Sequence, residues 1–378
     1  MNLYDINGNL IELDPQSFKA IKADNSIYAL KVSSTGAETS FVTTNHSENL
    51  VVLAHISDIH SDPTRYSKVI EKCDQYADYI NALIVSGDYV ITPTNEEYAT
   101  MRACETGATV PIYKCVGNHD KGAYSTVMSN ADIYTKGGYN TNTGKLYYKV
   151  DYAEQKVKVI FLNQYDTTNT SASVAGANSH YSQDQIDWFI SELQSAQTND
   201  YAVVIVMHAL SENGGTGKLP TYNDKGFYQQ DVDFVPNTSK CSGAIIADIV
   251  DAFQNGTSLT RSYTYSDISG TINVSASFSN EGKFVCYLCG HHHIDAIGYS
   301  QIYPNQLICL ITGALIHSDF KEGNWLSRYD LPRFANTSTE IAMNLYGIDP
   351  INRLLKVYRI GSDITHKMDS RTVATFEF

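Results

Sequence analysis

Five short apolar runs in this chain each end on side chains able to bind a metal ion. Val51-Val52-Leu53-Ala54-His55-Ile56 leads into Ser57-Asp58-Ile59-His60, and Ala82-Leu83-Ile84-Val85-Ser86 into Gly87-Asp88. Ile112-Tyr113-Lys114-Cys115-Val116 leads into Gly117-Asn118-His119-Asp120, Ala202 to Met207 into His208, and Phe284 to Cys289 into Gly290-His291-His292-His293. Runs of this length and composition read as buried strands of an α/β sheet. Strand ends are where such a sheet presents functional loops, because their bases are rigid and their tips are free to converge.

The ligand types narrow the chemistry. Carboxylate, amide oxygen and imidazole without thiolate suit Mn, Fe or Zn, and two such ions about 3.5–4 Å apart can clamp the attacking and leaving oxygens of a phosphoryl transfer. A carboxylate can bridge the pair. If Gly290-His291-His292-His293 is extended, alternation puts His291 and His293 on one side and His292 on the other.

In this order the blocks resemble the calcineurin-like metallophosphoesterase superfamily, whose pattern is Asp-x-His, Gly-Asp, Gly-Asn-His-Asp/Glu, a lone His, and Gly-His-x-His. The resemblance covers roughly residues 50 to 300. It implies a two-sheet β-sandwich flanked by helices, the metallophosphoesterase fold. It also implies that Asp58, His60 and His293 hold one metal ion, that Asn118, His208 and His291 hold a second, and that Asp88 bridges both. His119 matches the family's catalytic histidine, which lies near the leaving group and binds no metal, with Asp120 orienting its ring. Asn118 would ligate and help position the oxyanion.

The expected activity is therefore that of a metal-dependent phosphoric ester hydrolase, with two divalent or mixed-valence ions (Mn, Fe or Zn) as cofactors. A metal-bridging hydroxide attacks phosphorus in line, and His119 protonates the leaving group. Ser/Thr protein phosphatases of the superfamily carry Asp-Arg-Gly after Gly-Asp and an Arg before Gly-Asn-His, where this chain has Tyr89-Val90-Ile91 and Val116. Purple acid phosphatases place a tyrosinate three positions after the Gly-Asp aspartate, where this chain has Ile91. What remains is similar to the phosphodiesterase and nucleotidase branch, with small phosphodiesters or nucleotides as substrates. Two alternatives stay open: a nuclease of the same superfamily, and a binding or assembly module attached through the N-terminal segment.

A net charge of −14 disfavours a nucleic-acid duplex as partner, since duplex binding requires clustered Lys and Arg. It does not disfavour a small phosphoester, because two divalent ions less Asp58, Asp88 and one hydroxide leave about +1 at the site. The chain shows neither a long apolar span nor a signal-peptide pattern, and its seven cysteines are scattered largely through apolar runs, which together give the expectation of a cytoplasmic protein without membrane contact. The oligomeric state is not legible.

Residues 1–49, with turn signals at Asn7-Gly8-Asn9 and Ser33-Ser34-Thr35-Gly36, read as a small β-rich N-terminal appendage to a catalytic domain of 50–378. Residues 211–282 read as a substrate-side insertion containing a helix from Ser242 to Gln254. Helices are expected over Thr64–Ala77 and Asn95–Glu105, and strands over Leu146–Val150, Val157–Asn163, Ile341–Leu345, Leu354–Ile360 and Thr372–Phe378. The last three are expected to complete the second sheet.

Four other features carry structural readings. Cys286-x-x-Cys289 lies within an apolar run with no second pair and reads as core rather than zinc knuckle. Trp188 and Phe189 read as core on a helix opened by Ser182-x-x-Gln185, a capping-box pattern. His55 and His317 read as packing residues, and Gly214-Gly215-Thr216-Gly217 as a loop lacking the helix and Lys of a P-loop.

Overall fold

The computed structural model describes residues 3–4, 10–11, 50–123, 126–139, 141, 143–166, 180–209, 221–222, 228–229, 242–264, 270–291, 296–300, 303, 305–311, 341–361 and 374–378. Two six-stranded sheets form its centre. The first runs in the order Ala374–Glu377, Leu354–Gly361, Ala342–Asp349, Val51–Ile56, Ala82–Val85, Ile112–Lys114. The second runs Ala296–Tyr299, Leu307–Leu310, Lys283–Cys289, Ala202–Val206, Val157–Phe161, Tyr148–Tyr152.

The first sheet is parallel at one end and antiparallel at the other, whereas the second has a parallel centre with an antiparallel strand at each edge. Val51–Ile56 pairs in parallel with Ala82–Val85, and that strand with Ile112–Lys114. In the second sheet Val157–Phe161, Ala202–Val206, Lys283–Cys289 and Leu307–Leu310 are parallel neighbours. All five ligand blocks follow the C-terminal ends of these parallel strands, so one edge of the sandwich collects them. The C-terminal strands do not complete the second sheet. Ala342–Asp349 pairs antiparallel with Val51–Ile56, which extends the first sheet on its far side.

The second sheet explains why its central strand Ala202–Val206 is apolar on every residue. Val157, Val159, Phe161, Val204 and Val206 face the core shared with the first sheet, while Ile160, Val203, Ile205, Phe284 and Tyr287 face a separate core. Strands covered on both faces need no polar alternation. The outer cover is made by helices Gln183–Thr198 and Ser242–Asn255 and the hairpin Ser258–Thr264/Thr271–Ser277. Phe189 is buried there, and Trp188 packs at its margin against Tyr147.

Helix Pro63–Asp74 starts where Asp62 accepts the Arg65 amide at 3.0 Å with Pro at the first helical position, and helix Asn95–Cys104 is capped by Thr94. Each such cap contributes about 0.5–2 kcal/mol. Tyr66, Val69, Ile70, Tyr98 and Met101 of these two helices pack into the shared core. Cys286 and Cys289 are buried strand residues, as expected of core. Within 1–49 the described residues form one antiparallel pair, Leu3–Tyr4 with Leu10–Ile11. His292, His293, His317 and Gly214–Gly217 lie outside the described residues. Among the described residues no helix is long and apolar enough to cross a membrane.

Candidate metal centre

The first two ligand loops are zipped together beyond the ends of their strands. Ser86 N donates to Ile56 O, Asp58 N to Gly87 O, His60 N to Asp88 O and Ser61 N to Tyr89 O, at 3.0 to 3.3 Å. This continuation bends the backbone into the left-handed region at Asp58 (φ 52°), His60 (48°), Ser61 (61°) and Asp88 (51°), and His291 joins them at 68°. Side chains in that region cost about 1–3 kcal/mol each and persist where surroundings over-determine them. Five of the eight such residues described fall in or beside the ligand blocks. Strain is concentrated at the site.

Close approach accounts for two of the motif glycines. A Cβ on Gly117 would lie 2.2 Å from Asp88 Oδ1, and one on Gly290 would lie 1.7 Å from Ser57 Oγ and 2.3 Å from Asp58 Oδ2. Only a residue without a side chain lets these loops meet.

Seven side chains from the two sheets converge in consequence. Asp58 and Asp88 are buried, as is His208. Asn118 Oδ1 lies 3.0 Å from both His208 Nε2 and His291 Nδ1. Asp88 Oδ2 lies 3.2 Å from His208 Nε2 and 3.4 Å from His60 Nε2, which is itself 3.8 Å from Asp58 Oδ1. The ligand atoms of Asp88, His208 and His291 all lie within 4.8 Å of one another, and so do those of His60, Asp88 and His119. Asp88 belongs to both groups. Asp88 Oδ1 accepts the His119 amide at 2.9 Å, so Oδ2 is the oxygen that faces both His60 and His208.

The donor set fits cations. His208 Nδ1 donates to the Ser86 carbonyl at 2.7 Å, which turns Nε2 toward Asp88 Oδ2 and Asn118 Oδ1. Those partners are acceptors, so a proton or a cation must lie between them and the imidazole lone pair. Without a metal the proton takes that place. Burial would lower the His208 imidazole, but Asp88 and then Asp58 and the Ser86 carbonyl lift it to about 9. Burial would likewise raise the Asp88 carboxyl, but His208, His60 and His119 hold it well below the usual carboxylate range.

His119 and Asp120 open the short helix Asn118–Lys121. His119 Nδ1 donates to the Ile91 carbonyl at 2.7 Å, and its ring meets that of His60 edge-on at 4.7 Å between centroids. The sequence reading put Asp120 against the His119 ring. The Asp120 carboxylate accepts the amides of Gly117 at 2.8 Å and Val90 at 3.0 Å, and the Ile91 carbonyl accepts Nδ1 of the His119 ring. The physical reason is proximity: the Gly117 amide is an orphan donor at the helix start, three residues from Asp120. Burial and Asp88 push the Asp120 carboxyl up to about 7 against those amides.

Of three supporting residues, Ser86 and Gln164 were given no role in the sequence, and Gln185 was read there only as part of a capping box. Ser86 orients His208 through its carbonyl and accepts the Ser57 hydroxyl at 3.2 Å. Gln164 clamps both backbone groups of Ala209, receiving its amide at 2.6 Å and donating to its carbonyl, which fixes the loop after His208. Gln185 does the same for Asn163, at 2.8 and 3.0 Å, instead of closing a capping box with Ser182. The only sequence signal of Ser86 and Gln164 is a polar residue just beyond a strand end.

A family model for calcineurin-like phosphoesterases matches residues 51–295, more than half of the chain and all five ligand blocks. The chain belongs to the calcineurin-like phosphoesterase family. It is accordingly a metal-dependent phosphoesterase, with two candidate ligand groups suited to a dinuclear centre. No curated protein sequence matches the chain. Among solved structures, a dimetal phosphatase from Danio rerio is similar at 9% identity and a TM-score of 0.51, covering 86% of this chain and 98% of its own. A protein from Streptococcus pneumoniae TIGR4, described as a predicted phosphoesterase, aligns at 10% identity and a TM-score of 0.31 over 87% of this chain and 98% of its own. At such identity the Danio rerio likeness is one of fold.

Proposed function

We propose that this phosphoesterase hydrolyses small phosphodiesters or nucleotides at a two-metal site. One ion is held by Asp58, His60 and His293, the other by Asn118, His208 and His291, with Asp88 common to both. The observation that carries this reading is Asp88 Oδ2, within 3.4 Å of an imidazole from each set. Ligands of carboxylate, amide and imidazole type suit Mn, Fe or Zn. Bound there, two divalent cations supply Lewis acidity toward the phosphoryl oxygens and lower the pKa of a water.

The chain's own residues supply the rest. The Ile91 carbonyl accepts Nδ1–H of His119, so when the ring is an imidazolium the second proton sits on Nε2, passes from there to the leaving oxygen, and leaves the neutral Nδ1–H ring behind. Asp88 Oδ1 fixes the His119 backbone, and Ser86 fixes the His208 ring. Among the described residues, Arg65 pairs with Asp62 and Arg102 with Glu105, and Val116, just before Gly117-Asn118-His119, is buried. With these two arginines committed to their carboxylate partners, neither is a fork for a doubly charged monoester, and a singly charged diester is favoured. We assign catalysis to residues 50–378, with 1–49 as an appendage and 211–282 shaping substrate access.

Hydrolysis of bis-p-nitrophenyl phosphate and p-nitrophenyl phosphate, with Mn²⁺, Zn²⁺ or chelator, tests this proposal. Metal-dependent turnover that favours the diester is expected. Preference for the monoester would place the chain in another branch, and preferential digestion of single-stranded or duplex DNA would make it a nuclease.

A further inference from the structure

We propose that Glu97 is a positioning residue for His119, acting through the peptide unit between Ile91 and Thr92. The inference rests on the leaving-group role just assigned to His119. Glu97 is the third residue of helix Asn95–Cys104, whose cap is Thr94. Thr94-x-x-Glu97 has capping-box spacing, in which the Glu ordinarily returns to the cap's amide. Here the Thr94 amide bonds the Thr92 carbonyl, and the Glu97 carboxylate reaches further.

Glu97 Oε2 receives Thr92 N at 3.0 Å, Ile91 N at 3.1 Å and the Ser61 hydroxyl. Ser61 Oγ in turn receives Ile91 N at 3.0 Å, which joins the first ligand loop to the same knot. The Ile91 carbonyl, on the opposite side of the same trans peptide plane as the Thr92 amide, accepts His119 Nδ1 at 2.7 Å. One rigid planar unit is therefore held by a carboxylate at its N–H and by an imidazole at its C=O. An anionic acceptor on the N–H polarises the unit and strengthens its carbonyl as an acceptor. Glu97 thus sets both the direction of the Ile91 carbonyl and the strength of the bond that keeps the His119 proton on Nδ1. Asp120 holds the preceding amide, Val90 N, so Glu97 alone among these carboxylates grips the peptide that touches the ring.

The test is a double-mutant cycle of Glu97→Ala and His119→Ala, repeated with the isosteric Glu97→Gln in case the alanine variant folds poorly. Turnover is read on a methyl ester and a p-nitrophenyl ester, with metal content and the ¹⁵N ring signals of His119 alongside. Glu97→Ala is expected to retain both metals and to slow the methyl ester by ~10-fold or more, part of the ~10²–10⁴ available to a general acid, with a much smaller effect on the nitrophenyl ester. Added to His119→Ala it should cost nothing further, and the ring signals of the metal-free Glu97 variants should show a loss of the Nδ1-protonated form. Additive losses, or unchanged ring signals, would overturn the proposal. Should His119→Ala itself show no leaving-group dependence, the role given to His119 fails, while the ring signals still decide whether Glu97 governs its tautomer.

Discussion

The backbone amide of His119 donates to Asp88 Oδ1 at 2.9 Å. That bond commits one oxygen of the carboxylate to the protein and leaves Oδ2 facing His60 and His208, which come from different sheets. The third ligand block thereby fixes the carboxylate of the second.

Asp88→Asn should therefore lose metal and activity together. An amide can still accept the His119 N–H, but it brings no negative charge to the point facing both imidazoles. Metal content should fall below two per chain and kcat by ~10²–10³, the range for removing one preorganised electrostatic group. Two fully retained ions at wild-type rate would show that Asp88 does not bridge.

His119→Ala should keep both metals while losing turnover, most of all for esters with high-pKa leaving groups. Nitrophenolate departs unprotonated, whereas an alkoxide needs the proton that His119 Nε2 would supply. Equal losses on both kinds of ester would indicate phosphate binding instead. Because His119 lies within the His60–Asp88 ligand group, loss of one metal in this variant would make it a ligand.

Gly290→Ala should dismantle the site from its backbone side. The new methyl would overlap Ser57 Oγ at 1.7 Å and Asp58 Oδ2 at 2.3 Å, and Gly290 N also donates to His208 O at 2.9 Å. Overpacking of this kind costs about 1–3 kcal/mol. Thermal unfolding should occur at lower temperature with reduced metal content, and an unchanged Tm with full metal occupancy would count against the described approach of these loops.

The strands and ligand blocks were legible because they are local signals: Ala202–Val206 is apolar throughout and Val51–Ile56 is apolar but for His55, and each block follows such a run. The fold class and the convergence of Asp58, His60, Asp88, Asn118, His208 and His291 followed from that. Sheet membership of the C-terminal strands was not legible, since Ala342–Asp349 chooses Val51–Ile56 as partner across nearly the whole chain. Nor were the supports at Ser86, Ile91 and Gln164, which act through backbone carbonyls or on backbone groups that any residue type possesses. The bond from the Gly117 amide to Asp120 was not legible either, because a backbone donor has no sequence signature.

His55 gives the metal-free protein an acid-sensitive stability. It is fully buried with Nε2 bonded to Ser86 Oγ at 2.8 Å, and burial, then Arg359, lower its imidazole to about 3. The unfolded chain takes up this proton near pH 6.5, so the contribution is complete above that value and is lost as pH falls toward 3, amounting at most to about 5 kcal/mol. Urea unfolding of chelated protein between pH 8 and 4 should show this slope, and His55→Gln should flatten it. An identical pH dependence in the variant would assign the slope to other groups.

The most direct test of the central claim is a metal titration of the chelated wild-type chain, following bound metal and hydrolysis of bis-p-nitrophenyl phosphate in the same samples. Binding should saturate at two ions per chain, with turnover reaching its maximum only at the second. Full activity at one ion, or hydrolysis unaffected by chelation, would contradict a dinuclear site.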